Sequence, residues 1–177
     1  MPDTACPPRP WVGFNTVRWV GHDIQYNSGG TGIDATSRTY TSTIIVPQYC
    51  ILIDVMLIGV TLWTGSSTIS AIVGDADTTN GFFTTTNLKA TDLLAGESIS
   101  VGAGTAMAGG LVGGYVANSQ WGPASATYGQ WSGAAGRKIT CTVTAAGTAT
   151  AGRTLFVVGY LEFSGSEPMG VPTYASA

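Results

Sequence analysis

The strongest hydrophobic pattern in the chain is the run from residue 51 to residue 63, ILIDVMLIGVTLW, which is apolar at nearly every position. Asp54, Gly59 and Thr61 interrupt the run, which is too short and too broken to span a bilayer. Continuous apolarity over this length is typical of a strand covered on both faces. We expect a second sheet on one side of this strand, and a loop or a partner chain on the other.

A second strand is predicted at residues 68–73, after the turn residues Gly65-Ser66-Ser67, and together with the first it is expected to form the centre of the core. Residues 11–26 are aromatic and β-branched and predict one or two strands. Residues 36–46 predict a strand for which an edge position is favoured, because Pro47 closes it. Residues 84–95 contain a possible helical turn, and residues 97–101 a short strand.

Clean alternation returns at residues 137–144, RKITCTVT, which place apolar residues on one face and polar residues on the other. The apolar set is Ile139, Cys141 and Val143, and the polar set is Lys138, Thr140, Thr142 and Thr144. A short glycine-containing connection leads to a strong strand signal at residues 154–163. This spacing predicts a hairpin or a neighbouring pair.

About eight strands, uneven turns and no long periodic helix predict an all-β sandwich. A jelly-roll-like topology is favoured over an immunoglobulin-like one, because the loops are long and uneven. The expected organisation is an extended N-terminal arm at residues 1–10, a sandwich domain at residues 11–163 and a C-terminal arm at residues 164–177. A long Gly/Ala-rich loop is expected at residues 102–136. Four of the first ten residues are proline, which predicts an arm that lies on a neighbouring chain.

Composition adds an expectation about assembly. Only 10% of the residues are charged, against about 25% in ordinary soluble domains. A surface so poor in charge is best kept in solution by contact with other subunits, so we expect a homo-oligomer or a larger assembly. The net charge of −3, with scattered basic residues, argues against a nucleic-acid partner. The N-terminus lacks the pattern of a secretory signal, and no membrane partner is expected.

Reactive groups are few, and neither an enzymatic activity nor a cofactor is expected. His22 and Asp23 are adjacent, so on a strand their side chains would point to opposite faces, which disfavours a catalytic triad. Asp54 and Glu162 could serve as paired carboxylates, but one hydrogen-bonded carboxylate and one edge charge explain them as well. Asp75 and Asp77 have the D-x-D spacing of a calcium loop without its later glutamate, so they are weak metal candidates and an Asx-rich turn is favoured.

Eight residues are predicted to bind a partner chain. Four belong to the Pro-rich opening and four are aromatics of the Gly/Ala-rich loop: Pro7, Pro8, Pro10, Trp11, Tyr115, Trp121, Tyr128 and Trp131. Buried Trp and Tyr supply much of the binding energy at protein interfaces. Two alternatives stay open for the loop aromatics, namely stacking on sugar rings and packing within the chain itself.

Two stretches resemble small structural proteins of tailed bacteriophages. The first, in residues 36–101, contains ILIDVMLIGVTLWTGSSTIS and IVGDADTTNGFFTTTNLKATDLLAGESISV; the second, in residues 136–163, is RKITCTVTAAGTATAGRTLFVVGYLEF. The resemblance implies a β-sandwich virion component in many copies, without enzymatic activity. A capsid decoration or cement protein is favoured within that class, with the major capsid protein and copies of itself as partners. A tail or fibre adaptor, or a host-glycan-binding module, is the alternative.

Overall fold

A computed structural model of the chain describes residues 16–28, 31–34, 37–48, 50–102, 111, 113–117, 132 and 136–162. These residues form nine strands and one short helix. The elements are β1 (Thr16–Gln25), β2 (Thr31–Asp34), β3 (Ser37–Val46), β4 (Cys50–Thr64), β5 (Ile69–Gly74), β6 (Phe83–Asn87), β7 (Ser98–Ser100), α1 (Gly114–Ala117), β8 (Arg137–Ala145) and β9 (Ala151–Glu162).

The strands form two antiparallel sheets, a four-stranded sheet with the order β1-β9-β4-β7 and a five-stranded sheet with the order β2-β3-β8-β5-β6. Apart from β2, the strands are nested in sequence as the pairs β1–β9, β3–β8, β4–β7 and β5–β6, and successive pairs alternate between the two sheets. This nesting is the topology of a jelly roll. The prediction of an all-β sandwich is therefore confirmed.

The core lies between the inner faces of the two sheets. In β8, Ile139, Cys141 and Val143 are buried on the inner face, as the alternation of the sequence predicts. In β4, Leu52, Val55, Leu57 and Trp63 are likewise buried. The Trp63 indole packs 5.5 Å from the ring of Tyr40 and donates a 2.9 Å hydrogen bond to Thr154 Oγ1, which satisfies its one polar group in the core.

Two predictions about strand pairing are wrong. The strands β8 and β9, which were expected to form a hairpin or a neighbouring pair, lie in different sheets, whereas β4 and β5, one in each sheet, both contribute buried side chains to the core. The predicted edge strand β3 lies inside its sheet, with β2 and β8 as neighbours, and Pro47 follows its last residue. Short connections that cross between sheets look in sequence like hairpin turns, because both join two strands of alternating residues.

The helical turn expected at residues 84–95 is replaced by β6 and a turn. Three consecutive β-branched threonines favour the strand at Phe83–Asn87. Asn87 Oδ1 then accepts hydrogen bonds from the backbone amides of Lys89 (2.8 Å) and Ala90 (3.0 Å), which closes an Asx turn. Among the described residues, the one helix is the four-residue α1, and no helix there has the length and hydropathy needed to cross a membrane.

Beyond Gly102, the described part of the Gly/Ala-rich segment is attached to the sandwich at two further places. Leu111, Gly113 and Tyr115 lie beside residues 81–84, with backbone hydrogen bonds from Thr84 to Leu111, from Gly113 to Phe82 and from Tyr115 to Gly81, each 2.8–2.9 Å long. Further along, Ser132 Oγ donates to the Pro47 carbonyl (2.7 Å) and accepts from the Cys50 amide (2.8 Å). The segment therefore begins and ends on the body of the chain's own sandwich.

Candidate functional site

The catalytic pairings considered from the sequence do not form. His22 Nδ1 lies 3.0 Å from Ser42 Oγ, whereas Asp23 is on the opposite face of β1 and accepts hydrogen bonds of 3.0 and 2.9 Å from Arg153 Nε. The hydrogen bond from Arg153 holds the pKa of the Asp23 carboxyl below its usual value. The expectation that His22 and Asp23 point to opposite faces is confirmed, and the two residues do not share a site.

Asp54 and Glu162 are each engaged by their own partners. The Asp54 carboxylate accepts hydrogen bonds from the backbone amides of Val55 (2.7 Å) and Gly102 (2.8 Å), and from the Ser100 hydroxyl. Glu162 forms an ion pair with Arg18 at the end of β9. This arrangement is the hydrogen-bonded carboxylate and edge charge that the sequence left as the alternative to a catalytic pair.

Asp75 is the centre of a buried polar cluster at the end of β5. Its Oδ2 atom accepts hydrogen bonds from Arg137 Nε (2.9 Å) and Nη2 (2.6 Å), and its Oδ1 atom accepts from the Tyr115 hydroxyl (2.5 Å). The backbone amides of Asp77 and Thr78 also donate to Oδ1, at 3.1 and 3.0 Å. Asp75 is 9% exposed, so this is a carboxylate in which nearly every lone pair has a protein donor.

The guanidinium of Arg137 is also in contact with two aromatic rings. Its central carbon lies 5.1 Å from the ring centroids of both Phe82 and Tyr115, and these two rings meet edge to face with their centroids 5.2 Å apart. Cation–π contacts of this kind are strengthened by burial. The charge of Arg137 is thus held by the Asp75 carboxylate and by the faces of two rings.

The ionisation of this cluster follows from its surroundings. Burial opposes the charge on Asp75, but the hydrogen bonds from Tyr115, the Thr78 amide and Arg137, with the Arg137 charge, outweigh burial and lower the pKa of the carboxyl. Burial, together with the hydrogen bond to Asp75, raises the pKa of Tyr115 to about 12. Asp75 is therefore a carboxylate and Tyr115 a neutral donor at neutral pH.

These contacts bear on the residues singled out from the sequence. Asp75 is bound by protein donors, Asp77 is exposed, and in the described part of the chain no group of three or more His, Cys, Asp and Glu is arranged to hold a metal ion. Tyr115 is 2% exposed, and its described contacts are within the chain. The other predicted partner-binding residues, Pro7, Pro8, Pro10, Trp11, Trp121, Tyr128 and Trp131, lie outside the described residues, as do residues 1–10 and 164–177.

The outer faces of the two sheets differ in chemistry. On the five-stranded sheet, β3 and β8 present three cross-strand pairs of threonine to the outside, Thr39 with Thr144, Thr41 with Thr142 and Thr43 with Thr140. The hydroxyls of Thr43 and Thr140 lie 3.0 Å apart, within hydrogen-bond distance. We call this surface the threonine face. It carries many hydroxyl groups that water can solvate.

The outer face of the four-stranded sheet is mainly aliphatic and aromatic. Register and burial place eight apolar side chains on it, which we call the apolar face: Val17, Trp19, Ile51, Met56, Ile58, Leu155, Val157 and Leu161. Val17 is 50% exposed and Trp19 52% exposed, and the other six are partly exposed. Contiguous apolar surface of this kind is typical of an interaction site.

Trp19 lies flat on the sheet because its cross-strand neighbour is Gly159. A Cβ atom at residue 159 would be 2.6 Å from Trp19 Cζ3, so only glycine leaves room for the ring there. The ring rests with one side on β9 and with half of its surface free. The glycine and the tryptophan together form a flat aromatic platform on the apolar face.

Substitution of Gly159 by alanine should test this platform. Alanine is favoured over glycine in a strand by about 0.5–1 kcal/mol, but here its Cβ would displace the indole. We expect Gly159→Ala to be neutral or destabilising in the native chain and stabilising in a Trp19→Ala background, which urea unfolding of the four proteins in a double-mutant cycle measures. Gly21→Ala is the control, since its Cβ would lie 3.4 Å from the nearest atom, Leu155 Cδ1. The same free-energy change in both backgrounds would contradict the platform.

The apolar face was not predicted from the sequence. Val17 and Trp19 belong to a predicted strand segment, but their outward direction depends on the pairing of β1 with β9, which are more than a hundred residues apart in sequence. The alternation of Val17 and Trp19 with Arg18 and Val20 gives a weak signal, because both faces of β1 contain an apolar residue. The near-continuous apolarity of β4 was the stronger signal, because it predicted a cover on both faces. The second sheet covers the inner face as predicted, and the cover of the outer face stays a prediction.

Comparison with known protein families gives no match, and no curated protein matches the chain. Among solved structures, the fold is similar to a chain described as "Cyanophage Pam1 capsid asymmetric unit". The two chains are 18% identical, with a TM-score of 0.45, and the similarity covers 91% of this chain and 99% of that chain. At this identity and score, the likeness does not by itself assign a function.

Proposed function

We propose that the chain is a non-enzymatic structural protein of a bacteriophage particle, and that it is a capsid decoration or cement protein. The observation that carries the proposal is the contrast between the two outer faces of the sandwich. One is a hydroxyl-rich threonine face suited to water, and the other is an apolar face suited to contact with other subunits. A stabilising shell component needs this division, because one of its sides binds the shell and another meets solvent.

The energetics of the apolar face agree with such a role. Removal of apolar surface from water is favourable by roughly 25 cal/mol for each Å², needs no covalent bond, and offsets part of the translational and rotational freedom that association costs. The charged groups that the register places on this face are Asp54, which is held by hydrogen bonds from Val55, Gly102 and Ser100, and the Asp23–Arg153 ion pair near one end. Apolar residues at the centre of an interface with polar residues around it are typical of stable subunit contacts.

The sequence resemblance to phage structural proteins points in the same direction, and it spans much of the jelly roll, from β3 to β7 and from β8 to β9. The jelly roll itself occurs in viral capsid proteins, in lectins and in cupins, so the fold alone does not choose among functions. The partners proposed for the chain are the major capsid protein and further copies of itself, in the virion.

Particle composition tests the proposal. Phage particles purified from a lysate should contain the chain at a copy number comparable to that of the major capsid protein, as counted by quantitative peptide mass spectrometry with labelled standards. Heat treatment of particles that lack the chain should release their DNA at a lower temperature than native particles. A few copies per particle, found with isolated tails and not with heads, would instead assign the chain to a tail or fibre, and complete absence from the particle would reject a virion role.

A further inference from the structure

The first and last described residues of the sandwich, Thr16 and Glu162, lie at one end of the sheet that carries the apolar face. Thr16, the first residue of β1, is paired with Glu162, the last residue of β9, so residues 1–15 and residues 163–177 both leave the sandwich at the same end of the four-stranded sheet. Val17 and Trp19, which are the most exposed residues of the apolar face, are one and three residues from that end. An extended segment of fifteen residues reaches about 50 Å, which is comparable to the length of β4, the fifteen-residue strand that is the longest in this sheet.

We propose that the apolar face of one copy binds residues 1–15 of a second copy, so that neighbouring copies exchange their Pro-rich N-terminal segments. The inference concerns the chain by itself and does not depend on where the chain is located in a virion. It names the occupant of the apolar face, which is a proline-rich extended segment.

The composition of residues 1–15, MPDTACPPRPWVGFN, suits a sheet face. A segment that lies flat across strands cannot pair its amides with the sheet, so each amide that it buries costs free energy. Pro2, Pro7, Pro8 and Pro10 have no amide hydrogen. Residues 163–177 contain two prolines, Pro168 and Pro172, so a larger share of that segment would have to bury unpaired amides.

Trp19 supplies the complementary surface. Proline-rich segments in polyproline II conformation bind surfaces lined by aromatic rings, because the ring of proline packs against the flat ring of the aromatic residue and little conformational entropy is lost. Trp19 lies flat over Gly159 with 52% of its surface exposed, and Val17, Val157 and Leu161 extend the surface around it. Trp11, Val12 and Phe14 in the segment add apolar side chains that can pack on the same face.

The direction of the chain favours a second copy over the segment's own sandwich. Thr16 forms the last cross-strand pair at its end of β1, so a segment that continued from it in the direction of β1 would lead away from its own apolar face. To return, it would have to reverse within a few residues of Thr16. Prolines stiffen a segment over several residues and extend it by about 3.1 Å per residue, which favours reaching outward to a neighbour.

A cysteine cross-linking experiment with two differently labelled copies tests the exchange. The donor copy keeps the natural Cys6 of the segment. The acceptor copy has Cys6→Ser together with Val157→Cys on the apolar face, and the control acceptor has Cys6→Ser together with Thr142→Cys on the threonine face. Both acceptor positions are on central strands and are partly exposed, and Cys50 and Cys141 are buried in both copies. The copies are produced together, oxidised under mild conditions and separated on a non-reducing gel, and linked peptides are identified by mass spectrometry.

We expect a disulfide between Cys6 of the donor and residue 157 of the acceptor, in a species of twice the chain mass, at a many-fold higher yield than for the Thr142→Cys control. A second acceptor, Leu155→Cys, covers the case in which Val157→Cys does not fold. Deletion of residues 1–15 should abolish self-association of the native chain in light scattering and leave its circular dichroism unchanged. Equal yields from the two faces, or self-association that survives deletion of residues 1–15, would each overturn the proposal. In a copy that carries both Cys6 and Val157→Cys, a disulfide formed only within one chain would overturn it as well.

Discussion

Replacement of Asp75 by alanine should lower the free energy of unfolding by about 3–5 kcal/mol, the usual cost of breaking a buried ion pair from one side. The substitution removes the carboxylate that accepts two hydrogen bonds from Arg137 and one from Tyr115. The Arg137 side chain, which is 11% exposed, would lose this counter-ion. Since natural domains are stable by only about 5–15 kcal/mol, urea unfolding should show a large loss of stability.

Asp77→Ala is the matched control, because it removes an exposed carboxylate two residues along the same turn. It should change the free energy of unfolding by less than about 0.5 kcal/mol. Equal effects of the two substitutions would contradict the assignment of Asp75 as the centre of the cluster. The Asp75 substitution should also loosen residues 111–117, which amide hydrogen exchange would report, because the Tyr115 hydroxyl donates to Asp75.

The lowered pKa of Asp75 predicts that the stability of the fold depends on pH. The pKa of Asp75 is lower in the folded chain than in the unfolded chain, so the stabilisation is fully present above the unfolded value of about 3.9 and is lost as the pH falls through the folded value. The melting temperature of the native chain should therefore fall more steeply below about pH 4 than that of Asp75→Asn. Parallel curves for the two proteins between pH 7 and pH 2 would show that Asp75 is not the group responsible.

Replacement of Trp19 by alanine should weaken assembly by about 30-fold or more, which corresponds to the 2 kcal/mol typical of a hot-spot residue. The physical reason is that Trp19 is a large ring, held flat by Gly159 and half exposed in the isolated chain. The substitution should have a small effect on the stability of the isolated fold, because much of the Trp19 side chain is already in water. Sedimentation equilibrium over a range of concentrations measures the association constant, and urea unfolding of dilute samples measures the stability.

Ile45→Ala provides the comparison for Trp19→Ala. Ile45 is 64% exposed and lies at the edge of the threonine face, opposite Lys138, so it is a large exposed apolar residue on the other side of the sandwich. Its substitution should leave assembly unchanged. If Ile45→Ala weakens assembly as much as Trp19→Ala does, the apolar face is not the assembly surface.

Local patterns predicted the strands well and their pairing poorly. The alternation of Ile139, Cys141 and Val143 identifies the inner face of β8, because in a half-buried strand successive side chains point to opposite faces of the sheet. Which strand lies beside β8 is decided by contacts with β3 and β5, far away in the chain, and no local pattern encodes that choice. The connection from β8 to β9 was misread as a hairpin for this reason.

The candidate site was predictable only in part. The Gly74-Asp75-Ala76-Asp77 turn was visible in the sequence, but the partner of Asp75 is Arg137, which is 62 residues away. Tyr115 was grouped with the other aromatics of the Gly/Ala-rich segment, although its ring packs against Phe82 inside the fold. The platform of Trp19 on Gly159 depends on the register of β1 with β9, so it becomes visible only when the pairing is known.

Oxidative footprinting of Trp19 in intact particles shows whether the apolar face is covered by other subunits. Hydroxyl radicals are generated for milliseconds in purified phage and in a dilute solution of the isolated chain, and the oxidation rates of Trp19 and Ile45 are compared by peptide mass spectrometry. If the apolar face is covered in the assembled particle, Trp19 should be strongly protected there relative to the isolated chain, whereas Ile45 on the threonine face should react at a similar rate in both. Oxidation of Trp19 at the same rate in particles and in solution would show that the apolar face is not an assembly surface.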